Sequence, residues 1–210
     1  MELDAIARFL QDVGNDDTDD AGMAELGLAW VARRMTIEVT SAPVPRELVD
    51  MVTWCSGTGK RWAERRTSMR SPSGGRVEAA TVWVHLDPHT GRPIPWGDEF
   101  AAIYLEATGG RRVDVKLRHA KTPPDGAGRP WRFRTTDMDG FGHVNNAAYL
   151  AIAEEFLSVA PPCRIEVEWR APSTAGEELT VYRDQLDDGE QLWVVGPDDT
   201  LRATLVMSGA

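Results

Sequence analysis

This sequence predicts an α+β chain of two similar halves, each a curved antiparallel sheet wrapped around one long helix, on three observations. Two apolar stripes at helical spacing stand far apart: Leu3, Ile6, Leu10 and Val13, widened by Ala7 and Phe9, and then Tyr149, Ile152, Ala153 and Phe156. Each stripe is followed by several strand-like runs bounded by turn residues. A short pattern also recurs. Ile37-Glu38-Val39, a proline-bearing turn and Glu47-Leu48 correspond to Ile165-Glu166-Val167, a turn containing Pro172, and Glu178-Leu179. A sheet with one helix on one face is a stable two-layer solution for such content.

The first helix is expected to end near Gly14. The acid-rich stretch at 15–22 then reads as a solvated turn, since its aspartates lack EF-hand spacing and the matching glutamate. Strands are expected at 28–39, 48–54, 61–69 and 76–87. The SGTGK run at 56–60 is not a phosphate loop: Trp54 stands where its leading glycine belongs, and Arg61 where Ser or Thr is needed. Pro123-Pro124-Asp125-Gly126-Ala127-Gly128 has linker composition and divides the chain into 1–124 and 125–210. The second half opens with a strand at 131–136, where Trp131, Phe133 and Thr135 alternate with Arg132, Arg134 and Thr136. A polar loop, a helix at 146–157 and strands at 165–170, 179–183, 192–195 and 201–207 follow. The first half begins directly with its helix and so lacks the opening strand of the second. Either the chain starts late or that strand is dispensable.

At 210 residues, 42% hydrophobic and 27% charged, the chain can bury a substantial core. No run is long enough to span a bilayer, and Met1-Glu2-Leu3-Asp4 lacks the basic start of a secretory signal, so a cytoplasmic protein is expected. Cys55 and Cys163 have no metal-type spacing and are expected to be buried thiols; neither a metal nor a cofactor is expected. The net charge of −10, from 23 basic and 33 acidic residues, argues against nucleic acid as a partner. Locally the sign reverses. From 111 to 134 the basic residues Arg111, Arg112, Lys116, Arg118, Lys121, Arg129, Arg132 and Arg134 face only Asp114 and Asp125. Such a run is either a solvated face or a docking surface for an acidic partner.

The stretch DMDGFGHVNN at 137–146 carries the chemistry. Two acids, a histidine flanked by Gly142, and two asparagines stand immediately before the second helix, with Asn145 or Asn146 as its N-cap. The helix start would turn its unsatisfied N–H groups back toward the loop, where an oxyanion could be held. Asp139 could be a capping aspartate or a base or nucleophile, and His143 could fill the loop or orient a carboxylate or water. Glu155 lies on the flank of the apolar face and Glu154 points away, so of the two only Glu155 could reach a cleft; otherwise it is a solvated helix glutamate.

The pattern D-x-D-x-x-x-H-V-N-N-x-x-Y, with a glutamate later in the helix, resembles the second repeat of the acyl-ACP thioesterases. The segments FLQDVGND, TWCSGTGK, RWAERRTSM and TVWVHLD are similar to that family's first repeat. The resemblance implies two tandem hotdog repeats, 1–124 as the acyl-chain-binding half and 125–210 carrying the loop. It implies hydrolysis of fatty acyl thioesters in fatty acid biosynthesis, acyl-ACP before acyl-CoA. Asp139, His143, Asn145 and Glu155 would be the catalytic set, with Gly142 and Asn146 beside the substrate. Arg111, Arg112 and Arg118 would meet an acidic acyl carrier protein, and a homo-oligomer is compatible. The plastid enzymes differ in carrying an asparagine where this chain has Phe141, and a glutamate and cysteine near Pro172 and Ser173. Those departures leave open a second reading, a hotdog protein that holds an acyl chain without cleaving it.

Overall fold

The computed structural model describes residues 2–23, 28–140 and 142–209. Nine strands among the described residues form one sheet: β1 Ala29–Ser41, β2 Asp50–Thr58, β3 Trp62–Arg70, β4 Arg76–Leu86, β5 Arg129–Trp131, β6 Cys163–Trp169, β7 Leu179–Leu186, β8 Gly189–Val195 and β9 Leu201–Gly209. Their order is β2-β3-β4-β1-β6-β9-β8-β7-β5, and every pairing is antiparallel. The order mirrors itself about the β1/β6 seam, with β5 left over at the far edge. The second half therefore has one strand more than the first, as its sequence predicts.

The register at the seam matches the internal repeat. Ile37 lies opposite Ile165, Met35 opposite Val167, and Val39 opposite Cys163. Since Ile37 and Val39 are the repeat equivalents of Ile165 and Val167, a local two-fold axis passes between the two isoleucines. The tandem halves pack as a symmetric dimer would, within one chain.

Helices α1 (Leu3–Asp20) and α3 (Tyr149–Phe156) lie on one face of the sheet. They bury Leu3, Ile6, Ala7 and Leu10, and Tyr149, Leu150, Ile152, Ala153 and Phe156, against inward residues of β1, β6, β8 and β9. A short helix, α2 (Asp98–Tyr104), adds a small aromatic cluster in which Phe100 meets Trp30, Trp96 and Tyr104. Cys55 and Cys163 are both buried free thiols, as expected.

Three local expectations are corrected. The first helix does not stop near Gly14 but runs to Asp20. Beyond the apolar stripe it is held within the helix by the Thr18 hydroxyl, which donates to the Gly14 carbonyl at 2.8 Å, and from outside by Arg65, which pairs with Asp17 at 2.7 Å. The strand expected at 131–136 shrinks to Arg129–Trp131, because Arg134 turns the chain into a 3-10 helix at Thr135–Asp137. The second helix is only Tyr149–Phe156, led by a 3-10 turn at Asn146–Ala148, so the second half's helix is short.

The basic segment after α2 crosses the outer face of the sheet as a strap, on the side away from the helices. It visits the strands in sheet order. Thr58 N–H donates to the Arg111 carbonyl, Trp62 Nε1 to Val113 and Arg34 to the Lys116 carbonyl. On the second half, Glu168 accepts the backbone N–H groups of Arg118 and His119, and Gln191 and Trp193 both donate to the Ala120 carbonyl at 2.8 Å.

Candidate active site

The 137–145 loop is built from the outside inward. Arg134 N–H donates to Asp137 Oδ2 at 2.7 Å and its guanidinium to Oδ1 at 2.8 Å, closing a turn of Arg-x-x-Asp spacing. Burial pushes the Asp137 carboxyl up, but the hydrogen bonds from Arg134 overcome this and hold it below the usual carboxylate range. The Asp137 carbonyl accepts Asn145 N–H at 2.8 Å, and a bridge pairs Met138 with Val144, so the loop has a closed neck.

Beyond the neck stand Asp139 and His143. Asp139 N–H donates to the His143 carbonyl at 2.7 Å, and His143 N–H returns a bond to Asp139 Oδ1 at 3.0 Å. Gly142 turns the tip with φ +79°, a conformation that side chains rarely adopt. Asp139 is half-buried and His143 exposed. The two acids of the D-x-D motif thus separate: Asp137 is buried against Arg134, and Asp139 is half-buried at the loop tip. Phe141 lies outside the described residues.

Asn145 is the N-cap, its Oδ1 accepting Ala147 N–H at 2.8 Å, and Asn146 opens the 3-10 turn. The expected cluster of unsatisfied N–H groups is largely absent, because Val144 donates to the Ser173 carbonyl, Asn145 to Asp137, Ala147 to Asn145 Oδ1 and Ala148 to the Asn145 carbonyl. These four are not oxyanion donors as they stand.

Both helix glutamates line a cavity between α1 and α3, in unlike settings. Glu155 is exposed at the surface beside Arg129, 3.5 Å away. Glu154 is half-buried and accepts Leu3 N–H at 2.7 Å, so it caps α1 from across the halves. Burial, with Asp4 and Glu2 nearby, raises its carboxyl above the ordinary range despite the Leu3 bond. Glu154 also forms a wall of two cavities. One, of about 460 Å³, runs between α1, α3 and the chain before the loop, past Trp131, Asp137 and Ala148. The other, of about 340 Å³, sits at the seam among Leu3, Ile6, Val39, Val159 and Cys163.

The basic candidates lie on the opposite face. Arg111 donates to Glu64 at 2.6 Å and to the Ser56 carbonyl at 3.1 Å, Arg112 is exposed, and Arg118 pairs with Asp114 at 2.9 Å. Among the described residues, His119, Glu166 and Glu168 form a group spaced to hold a metal. Its carboxylates are already taken: Glu168 by Arg170 at 2.7 Å, and Glu166 by Arg164 at 2.9 Å and Thr36 at 3.0 Å. Burial pushes Glu166 up, yet hydrogen bonds led by His119 bring it to about 2. The cluster reads as a strap clamp with its charge balanced.

Sequence reasoning missed Glu154, Glu168 and the polar role of Tyr149. Nothing in the local pattern marks a helix glutamate as the cap of another helix. Tyr149 was legible as a member of an apolar stripe and as the end of the family-like pattern, neither of which marks its hydroxyl as bonded.

A sheet mirrored about a central strand pair, with one helix laid on each half and a carboxylate–histidine loop ahead of the second, defines a tandem hotdog protein. Residues 1–104 match the acyl-ACP thioesterase N-terminal domain and residues 122–197 the C-terminal domain of the same family, and the chain belongs to the acyl-ACP thioesterase family. It is 34% identical over 215 residues to an uncharacterized protein of Mycobacterium tuberculosis, covering 98% of this chain and 84% of that one. It is 26% identical over 171 residues to oleoyl-acyl carrier protein thioesterase 1 of Arabidopsis thaliana chloroplasts, covering 70% of this chain and 47% of the plant protein. Its fold matches an acyl-ACP thioesterase structure from Bacteroides thetaiotaomicron with a TM-score of 0.82 at 16% identity, over 100% of this chain and 90% of that one.

Proposed function

We propose that this protein hydrolyses fatty acyl thioesters, acyl-ACP in preference to acyl-CoA, to release the fatty acid during fatty acid biosynthesis in the cytoplasm. The observation that carries the reading is the split of the D-x-D motif. Asp137 is committed to Arg134, while Asp139 stands at the loop tip, bonded to the backbone of His143. Asp139 acts as the base that activates water, or as the nucleophile, and His143 orients the attacking group. A thioester carbonyl is weakly resonance-stabilised and its thiolate leaves readily, so one positioned base suffices. Asn145 holds the loop to the helix, Gly142 and Asn146 border the substrate, and Glu155 contributes from the rim. Residues 1–124 receive the acyl chain and 125–210 carry the chemistry.

Asp139→Ala should abolish hydrolysis of acyl-ACP while leaving the thermal midpoint within about 1–2 °C, since a half-exposed loop carboxylate contributes little to packing. His143→Ala should lower kcat more than it raises KM. Wild-type turnover in the Asp139 variant would remove that residue from the mechanism. The second reading, acyl binding without cleavage, is favoured by Pro172 standing where the plastid enzymes carry a glutamate. It predicts a wild-type protein that binds acyl-ACP and releases no fatty acid.

A further inference from the structure

Behind the 137–145 loop two buried hydroxyls meet. Tyr149, the first residue of α3, donates its phenol to Ser173 Oγ at 2.9 Å across 24 residues of chain, and both residues are only 1% exposed. Burial pushes the Tyr149 phenol up to about 12, so it remains a neutral donor. Packing alone does not call for this pair. Phe and Ala would fill the same space, and replacing both partners of a buried hydrogen bond by apolar groups of similar shape is nearly neutral.

Ser173 reaches the loop by a second route. Its carbonyl accepts Val144 N–H at 2.9 Å, and Val144 closes the loop neck opposite Met138. One residue therefore receives the helix through its side chain and the loop through its backbone. The helix side is packed in as well: the Tyr149 ring lies 4.8 Å from Phe133, whose carbonyl in turn accepts Gly176 N–H at 3.4 Å. Strand exit, helix start and the turn after β6 thus close a ring around the loop's base.

We infer that Tyr149 and Ser173 are positioning residues, whose hydroxyl pair fixes the distance between the Asp139–His143 loop and the start of α3. The inference rests on the reading of Asp139 as the acting carboxylate. It goes further in assigning work to two residues that touch no substrate, one of them at a place where the plastid enzymes have a different side chain.

The pair can be tested because stability and turnover should separate. Tyr149→Phe and Ser173→Ala each leave one buried hydroxyl group unsatisfied and should each lower the thermal midpoint, whereas the double variant should recover most of that loss. Turnover should not recover. With lauroyl-ACP as substrate, kcat should fall about 10- to 100-fold in both singles and in the double, the cost of a loop displaced by a fraction of an ångström to an ångström. KM should change by less than about threefold. Ser173→Cys, which keeps a weak acceptor, should retain more activity than Ser173→Ala. Amide exchange at His143 and Val144 should quicken roughly tenfold in the double variant, with Ile152 and Ala153 in α3 unchanged. A double variant with wild-type kcat, or with unchanged exchange at Val144, would overturn the inference. The exchange arm needs no turnover, so a protein that hydrolyses nothing would sink the functional reading while exchange still decides whether the pair holds the loop.

Discussion

Asp137 and Asp139 stand two positions apart in unlike surroundings. The difference is set by Arg134, which meets Asp137 through both its backbone and its guanidinium. Asp137→Asn keeps the size but loses the charge that strengthens those bonds. It should lower the midpoint of urea unfolding and lower turnover as the neck loosens. A variant as stable as wild type would show that Asp137 does not hold the turn. At this scale the sequence was informative where a rule is local. The cap was readable to within Asn145 or Asn146 because a cap acts within three residues of itself, and Asn145 is the one that serves. The helix wheel placed Glu155 at the edge of a cleft, which it does line, but could not show that Glu154 lines it too, drawn inward by an N–H of another helix.

Helices and strands were legible in type and order, and misread at their ends. α1 outlasts its apolar stripe because Asp17 is gripped by Arg65 and by the Tyr104 hydroxyl, contacts that no sequence window contains. The contact between α1 and α3 gives a pH prediction. The folded-state carboxyl of Glu154 lies above its ordinary 4.5, chiefly through burial, so its neutral form is favoured by folding. Stability from this group is therefore full below about pH 4.5 and is lost as pH rises through the raised value. Glu154→Gln cannot ionise yet can still accept the Leu3 N–H. It should raise the thermal midpoint at pH 7 and converge with wild type near pH 4, measured by melts across that range. A Gln variant less stable at pH 7 would mean that the ionised carboxylate is the better cap.

Across the whole molecule the mirrored sheet was legible as an internal repeat, but the strap was not. Its basic composition suggested a free surface, while its backbone is bonded to β2, β1, β6 and β8 in turn. The cations that remain exposed still make an electrostatic prediction. Arg112, Lys116 and Arg118 gather positive charge on a protein of net charge −10, and exposed charges of this kind mainly steer association. Raising salt should lower kcat/KM for acyl-ACP far more than for acyl-CoA, and reversing Arg112 and Lys116 to glutamate should mimic it with kcat nearly constant. Equal salt sensitivity for the two substrates would leave the strap with a structural role only. The two-fold seam carries one more consequence. Because β1 and β6 pair as equivalents, a second copy of the chain can offer either strand the same partner, and only tethering favours the partner at home. A tether raises local concentration to about the millimolar range when its length suits the span. The strap does this by lying fixed along the sheet. Gln191→Ala with Trp193→Phe, which removes both donors to the Ala120 carbonyl, should free its middle and let refolding chains trade halves. Reciprocally exchanged dimers should then accumulate on refolding at high protein concentration, seen by light scattering after size separation, and a strictly monomeric variant would show that the seam discriminates by itself.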